Sequence, residues 1–169
     1  MSYRFAGKAP RPSAGAAPAA SLDYVTVMIG EQMLGLPIER VNDVFIATRF
    51  TPVPRAPRDI VGLLNLRGRV VTAICLRKRL GLDPIVECQP DGRCELVSVG
   101  VEDAGEPYAL IVDAVGEVTR LDRSTFEAVP VNLDPNWATL ASGVHRLEDR
   151  LLVILDVDAV LSIDIPVAA

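Results

Sequence analysis

The chain of 169 residues contains one histidine and three cysteines, Cys75, Cys88 and Cys94, and no CxxC pair. An odd set of cysteines without metal-ligand or redox spacing reads as reduced thiols rather than a disulfide or a metal site. Long apolar runs are missing as well. Half of the residues are apolar, yet the longest nearly unbroken run, VVTAICL from Val70 to Leu76, is far too short for a spanning helix. The N-terminal stretch MSYRFAGKAPRPSAGAAPAAS has no apolar core of the kind a signal peptide needs. These absences lead us to expect a soluble, cytoplasmic protein with no direct membrane insertion. Basic charge is also scarce. The net charge of −5 argues against nucleic acid as the main partner, because phosphate binding wants a basic surface.

Catalytic patterns are equally scarce. HExxH, GxSxG and Walker A motifs do not occur. Gly62 and Gly68 have the spacing of a phosphate loop, but Arg69 and Val70 stand where Lys and Ser/Thr are required. His145 has no evident partner and reads as a surface or hydrogen-bonded structural residue. Asp113 and Glu117 are spaced to share a helical face, while Glu102-Asp103 and Glu148-Asp149 fall in turns; nothing pairs any of them as acid and base. The expectation is a binding module and not an enzyme, with no cofactor and no metal. A small-molecule-binding β-barrel stays open as a different class.

What the sequence does have is alternation. YVTVMI places Val25, Val27 and Ile29 on one face, and after a GEQ turn MLGLPI continues with Leu34, Leu36 and Ile38. LVSVGV and YALIV repeat the pattern around EDAGEP, with Val97, Val99 and Val101, then Tyr108, Leu110 and Val112. Two hairpins follow. The likeness extends into an internal repeat. Ile38, Val41, Asp43 and Val44 correspond to Val112, Val115, Glu117 and Val118 without a gap. IVGLLNLRGRVVTAICLRKRL, from Ile60, compares with ASGVHRLEDRLLVILDVDAVL, from Ala141: Gly62 falls on Gly143, Arg69 on Arg150, and Leu80 on Leu161. Each of these two blocks pairs two strands through a turn and then starts a short helix. Modules this small should share a core, and barrels or sandwiches suit many short strands.

Between them TPVPRAPRD, Thr51 to Asp59, reads as an extended connector because its three prolines remove ladder donors. Arg67-Gly68 falls where a hairpin turn is needed, with Gly68 supplying positive φ. On these grounds alone Arg67 is a solvated turn residue. Arg77 to Arg79, RKR, reads as the solvated face of a short amphipathic helix or, alternatively, a docking surface for an acidic partner. Asp156 suits an N-cap before VDAVL. Its repeat counterpart is Cys75, and Cys75→Asp should stabilise by roughly 0.5–1 kcal/mol if the thiol is at least partly exposed. Residues 1–21, rich in Ala, Pro, Ser and Gly, are expected to be a disordered tail.

The run PVPRAPRDIVGLLNLRGRVVTAICLRKRLGL, together with LGLPIERVNDVF, YALIVDAVGEV and LLVILDVDAVL, resembles the CheW family of bacterial chemotaxis coupling proteins over about residues 22–163. Residues 164–169 would then be a C-terminal tail. The resemblance implies a mainly β fold: two small five-stranded SH3-like barrels, interlocked and packed over a shared hydrophobic core, with short helices. It implies no enzymatic activity. It implies an adaptor that binds the regulatory domain of the histidine kinase CheA and the cytoplasmic tip of chemoreceptors, in a flagellar, pilus or other pathway, recruited to membrane-associated receptor arrays. It also implies a receptor-binding region containing Arg67, Asp43, Val41 and Gly62. The chain departs from the family in having Asp43 where Glu is common, and Thr72 and Cys75 where Pro and Asp are frequent.

Overall fold

The computed structural model describes residues 21–83 and 93–163. Expectations about the two tails, about Cys88 and about the Cys94 side chain fall outside the described residues, except that Ser21 already opens the first strand. Eleven strands and three short helices follow one another as β1 (Ser21–Ile29), β2 (Gln32–Pro37), β3 (Val41–Arg49), β4 (Ile60–Leu66), β5 (Arg69–Cys75), α1 (Leu76–Arg79), β6 (Arg93–Asp103), β7 (Glu106–Val112), β8 (Ala114–Asp122), β9 (Phe126–Glu127), α2 (Pro135–Ala138), β10 (Ala141–Arg146), β11 (Leu151–Leu155) and α3 (Val157–Leu161). They form two curled, SH3-like sheets, ordered β8-β1-β2-β11-β10-β9 and β3-β6-β7-β5-β4. The first sheet is six-stranded and not five-stranded, because the two-residue β9 pairs with β10.

Alternation marks the strands because one face of each is packed. Val25, Val27, Ile29, Leu34 and Leu36 are all at most 2% exposed. Ile38 leaves this face: after Pro37 the chain enters a 3₁₀ turn, and Ile38 is exposed. Side chains of both hairpins, among them Val27, Leu36, Val99 and Leu110, meet in one shared core. Each sheet carries a second, smaller cluster, with Leu64, Val71 and Ala109 in one and Tyr24, Leu152 and Ile154 in the other.

The repeat is carried into the registers. Ile60 pairs with Ile74, and after a bulge Gly62 pairs with Ala73; Ala141 pairs with Leu155, and after a bulge Gly143 pairs with Ile154. The two halves also exchange hairpins. β1-β2 lies between β8 and β11 of the second half, with a parallel β2-β11 contact, and β6-β7 lies between β3 and β5 of the first, with a parallel β5-β7 contact. Sequence pairing of adjacent blocks does not reveal this exchange, since each hairpin finds its lateral partners far along the chain.

Two expectations about local structure are corrected. Asp113 and Glu117 share no helix: Glu117 lies in strand β8, and Asp113 is the residue between β7 and β8. The face of α1 is not merely solvated. Arg77 Nε donates to Asp113 Oδ1 at 2.8 Å, and Arg79 donates to the carbonyls of Ala159, Val160 and Ser162. Asp113 Oδ2 also accepts from Gly30 N–H at 2.6 Å. Burial pushes the Asp113 carboxyl up, but the hydrogen bonds from Arg77 and Gly30 and the guanidinium charge outweigh it and hold the group below its ordinary value.

Asp156 caps α3 as expected, its Oδ1 accepting from Ala159 N–H at 3.3 Å. Cys75 occupies the matching position before α1 without a side-chain cap bond, and only 6% of it is exposed. The condition for a stabilising replacement therefore fails. Cys75→Asp is instead expected to lower stability by about 1–3 kcal/mol, since a carboxylate would enter a site packed for a thiol. Thermal unfolding checks this, and a raised Tm would show that the helix cap outweighs desolvation.

Candidate functional site

The β4-β5 hairpin turns in two residues, Arg67 at φ 54° and Gly68 at φ 81°, with Leu66 paired to Arg69 across the turn. Positive φ at both central residues is the pattern of a type I′ turn, whose twist matches the flanking strands. Glycine accepts this conformation freely. Arginine does not, and a bulky residue with positive φ calls for a reason. Asn65 Oδ1 accepts from Gly68 N–H at 3.0 Å and braces the turn.

The two arginines of the turn do different things. Arg69 Nη2 donates to Gly105 O at 3.2 Å, and Arg69 Nη1 lies 3.6 Å from Glu102 Oε1, so this side chain ties the hairpin to the neighbouring β6-β7 hairpin. Arg67 remains 78% exposed, and its Nη1 lies 3.4 Å from Asp43 Oδ2, whose side chain is 24% exposed. An ion pair this exposed contributes about 0.2–1 kcal/mol at most. Its consequence is orientation more than stability. The shorter carboxylate of Asp43 reaches far enough to pair.

The geometry places the four expected residues unequally. Arg67 and Asp43 come together. Val41 starts β3, opposite Val101, and is half-buried against the shared core. Gly62 is buried, and a Cβ added there would lie 2.6 Å from the carbonyl oxygen of Thr51. Gly62 nevertheless belongs with Asp43 through the sheet. Asp43 pairs with Gly100, Gly100 with Ala109, Ala109 with Ala73, and Ala73 with Gly62. A row of small residues crosses the whole sheet, and the Asp43 carboxylate lies over Gly100 where a Cβ would overlap it. Gly100, Ala109 and Ala73 are not legible in the sequence, because a row across a sheet has no signature along the chain. Asn65 is legible in principle, since an Asn three residues before the turn glycine is a readable signal.

The other half lacks this pair. Repeat positions matching Arg67 and Asp43 are Glu148 and Glu117, two like charges. Their surroundings differ too: the second half is organised around His145, buried at 0% exposure. Its Nε2 is 3.0 Å from Tyr24 Oη and its Nδ1 2.8 Å from Thr125 Oγ1. The Thr125 hydroxyl donates to Asp122 O, so it accepts from Nδ1–H, and Nε2 accepts from Tyr24 O–H. One neutral tautomer satisfies every group. Burial lowers the affinity of the ring for a proton and raises that of Tyr24 for its own. His145 is thus a hydrogen-bonded structural residue.

Chemically, the β4-β5 tip presents an exposed, planar, multi-donor cation beside a carboxylate. Among the described residues, no group of three or more His, Cys, Asp or Glu side chains could hold a metal ion, and no helix is long and apolar enough to cross a membrane. An arginine braced at a hairpin tip suits recognition of carboxylates and carbonyls on another macromolecule.

Comparison with known proteins bears on the family and the fold. The CheW-like domain model matches residues 23–164. The chain is 29% identical over 143 residues to a chemotaxis protein CheW of Helicobacter pylori, covering 85% of this chain and 83% of that protein. It is 28% identical over 137 residues to that of Bacillus subtilis, covering 81% and 85%. The crystal structure of scaffolding protein TtCheW from Thermoanaerobacter tengcongensis is similar with a TM-score of 0.71 and 28% identity, over 85% of this chain and 94% of that one. A family match across both sheets, together with a solved relative of the same fold, shows that the chain belongs to the CheW-like domain family.

Proposed function

We propose that this chain is a non-enzymatic scaffold in chemotaxis-type signalling. It couples the cytoplasmic tip of chemoreceptors to the regulatory domain of a CheA histidine kinase, in the cytoplasm at receptor arrays. The observation that carries the receptor half is Arg67: an exposed arginine at φ 54°, where Asn or Gly would fit the turn with less strain, tethered to Asp43. The turn does not need this side chain, so recognition is what it supplies. Asp43 reduces the freedom lost on binding, and Val41 and Gly62 shape the sheet beneath. Exposed Ile46 and Phe126 supply apolar surface, outside that tip, for a kinase domain.

The test pairs stability with assembly. Arg67→Ala should change Tm little, because an exposed side chain is worth about 0.5 kcal/mol or less. Arg67→Asn should leave Tm equal or higher, since Asn tolerates positive φ. Both should retain CheA binding and weaken capture by a receptor cytoplasmic fragment by about 1–3 kcal/mol, the worth of charge-assisted hydrogen bonds. Arg67→Lys should restore only part, lacking the planar fork. Normal receptor–kinase complexes with Arg67→Ala would sink the receptor assignment. No binding to a cognate CheA would remove the adaptor reading altogether.

A further inference from the structure

We infer that Asn65 is a positioning residue that sets the direction in which Arg67 leaves the hairpin; this rests on the reading of the tip as a receptor contact. Asn65 is exposed on β4, so packing of the core does not require it. Its one side-chain bond is aimed with purpose: Oδ1 accepts from Gly68 N–H at 3.0 Å. That N–H belongs to the peptide unit joining Arg67 to Gly68. Holding it fixes ψ of Arg67 and φ of Gly68 together, and with them the Cα–Cβ direction of Arg67.

Asp43, 3.4 Å from the guanidinium, holds the far end of the same side chain. Arg67 is therefore constrained at root and head, by two residues from different strands. The hairpin itself does not depend on Asn65. Leu66 and Arg69 close the register, and Arg69 is tied to Gly105 and Glu102. Loss of Asn65 should loosen the aim of Arg67 while leaving the hairpin in place.

Asn65→Ala and Asn65→Asp separate this from a general structural role, because Asp keeps the acceptor oxygen. In the free protein, ¹⁵N relaxation should show the Gly68 amide falling from a rigid order parameter of about 0.85 to about 0.6 in Asn65→Ala but not in Asn65→Asp. Tm should stay within a few degrees of the parent in both. Capture by a receptor cytoplasmic fragment should weaken about two- to tenfold in Asn65→Ala, the range expected for freeing one long side chain. In an Arg67→Ala background, Asn65→Ala should weaken capture no further. An unchanged Gly68 amide in Asn65→Ala overturns the inference. So does an equal loss of capture in the Arg67→Ala background, which would make Asn65 a direct contact. Normal capture by Arg67→Ala alone would instead remove the receptor reading, whatever the Gly68 amide shows.

Discussion

His145→Ala should lower the stability of the protein by roughly 3–5 kcal/mol, through a cavity and two hydroxyls left short of partners. The imidazole is fully buried, and Tyr24, itself 3% exposed, donates to it. Tyr24 and Phe126 pack their rings around it at centroid distances of 5.2 and 5.4 Å. Acid should produce a milder version of the same injury. Protonation would place a second N–H against Tyr24 Oη, which is already donating there. Burial holds the folded ring's pKa below the ordinary 6.5. In the window from 6.5 down to that lowered value, the unfolded chain binds a proton that the folded one refuses. Stability is therefore complete above pH 6.5 and declines as pH falls through the window, by at most about 1.4 kcal/mol per pH unit. Asp113, also held below its ordinary 3.8, contributes a loss only in the carboxylate range. Denaturant unfolding from pH 7.5 to 5 should show the slope in the parent and not in His145→Gln. An equal slope in both would assign it elsewhere.

Gly62→Ala is expected to destabilise by about 2–3 kcal/mol through overpacking. The new Cβ would stand 2.6 Å from the Thr51 carbonyl oxygen. That oxygen cannot simply retreat, because it accepts from Leu63 N–H at 2.8 Å while Thr51 N–H donates to Leu63 O at 2.7 Å. Gly68→Ala makes the comparison. Nothing lies within 4 Å of its added Cβ, and only φ 81° resists, so about 1 kcal/mol is expected. Gly62 also has positive φ, at 156°, so its Ala variant carries strain as well, and the excess of its loss over that of Gly68→Ala in urea midpoints reports the collision. If Gly62→Ala were as mild as Gly68→Ala, the β4 bulge would be soft. Any receptor defect of Gly62→Ala should then be judged against its lost stability, since the residue is buried and offers no side chain to a partner.

Much of the fold was readable because one-sided packing writes itself along a strand. Val27 and Ile29, like Leu34 and Leu36, alternate since one face meets the shared core. Asp113 and Glu117 misled for a related reason. Four-residue spacing suits a helix, but here it spans a strand boundary: Asp113 is the residue between β7 and β8, and Glu117 is an exposed position of the edge strand β8. The RKR helix was legible and its electrostatics were not, since Asp113 and the α3 carbonyls that hold it lie far along the chain. At the site, the turn was visible in Arg67-Gly68 between two apolar strands, and the Asp43 partner came from family resemblance. The small-residue row from Asp43 to Gly62 needed coordinates, because it takes one residue from each of five strands.

The hairpin exchange has a consequence for the chain while it is being made. β1-β2 is translated before every other described strand, yet both of its flanking strands, β8 and β11, come from the second half. At about 5–20 residues per second the wait for β11 is on the order of ten seconds. Until β8 is made both edges of the hairpin are open to foreign strands, and the β2 edge stays open until β11 follows. The β8-β1-β2-β11-β10-β9 sheet therefore cannot be completed until β11 has been made, whereas β3-β6-β7-β5-β4 has all its strands once Val112 is translated, so the two sheets are finished in the reverse of the order in which they are begun.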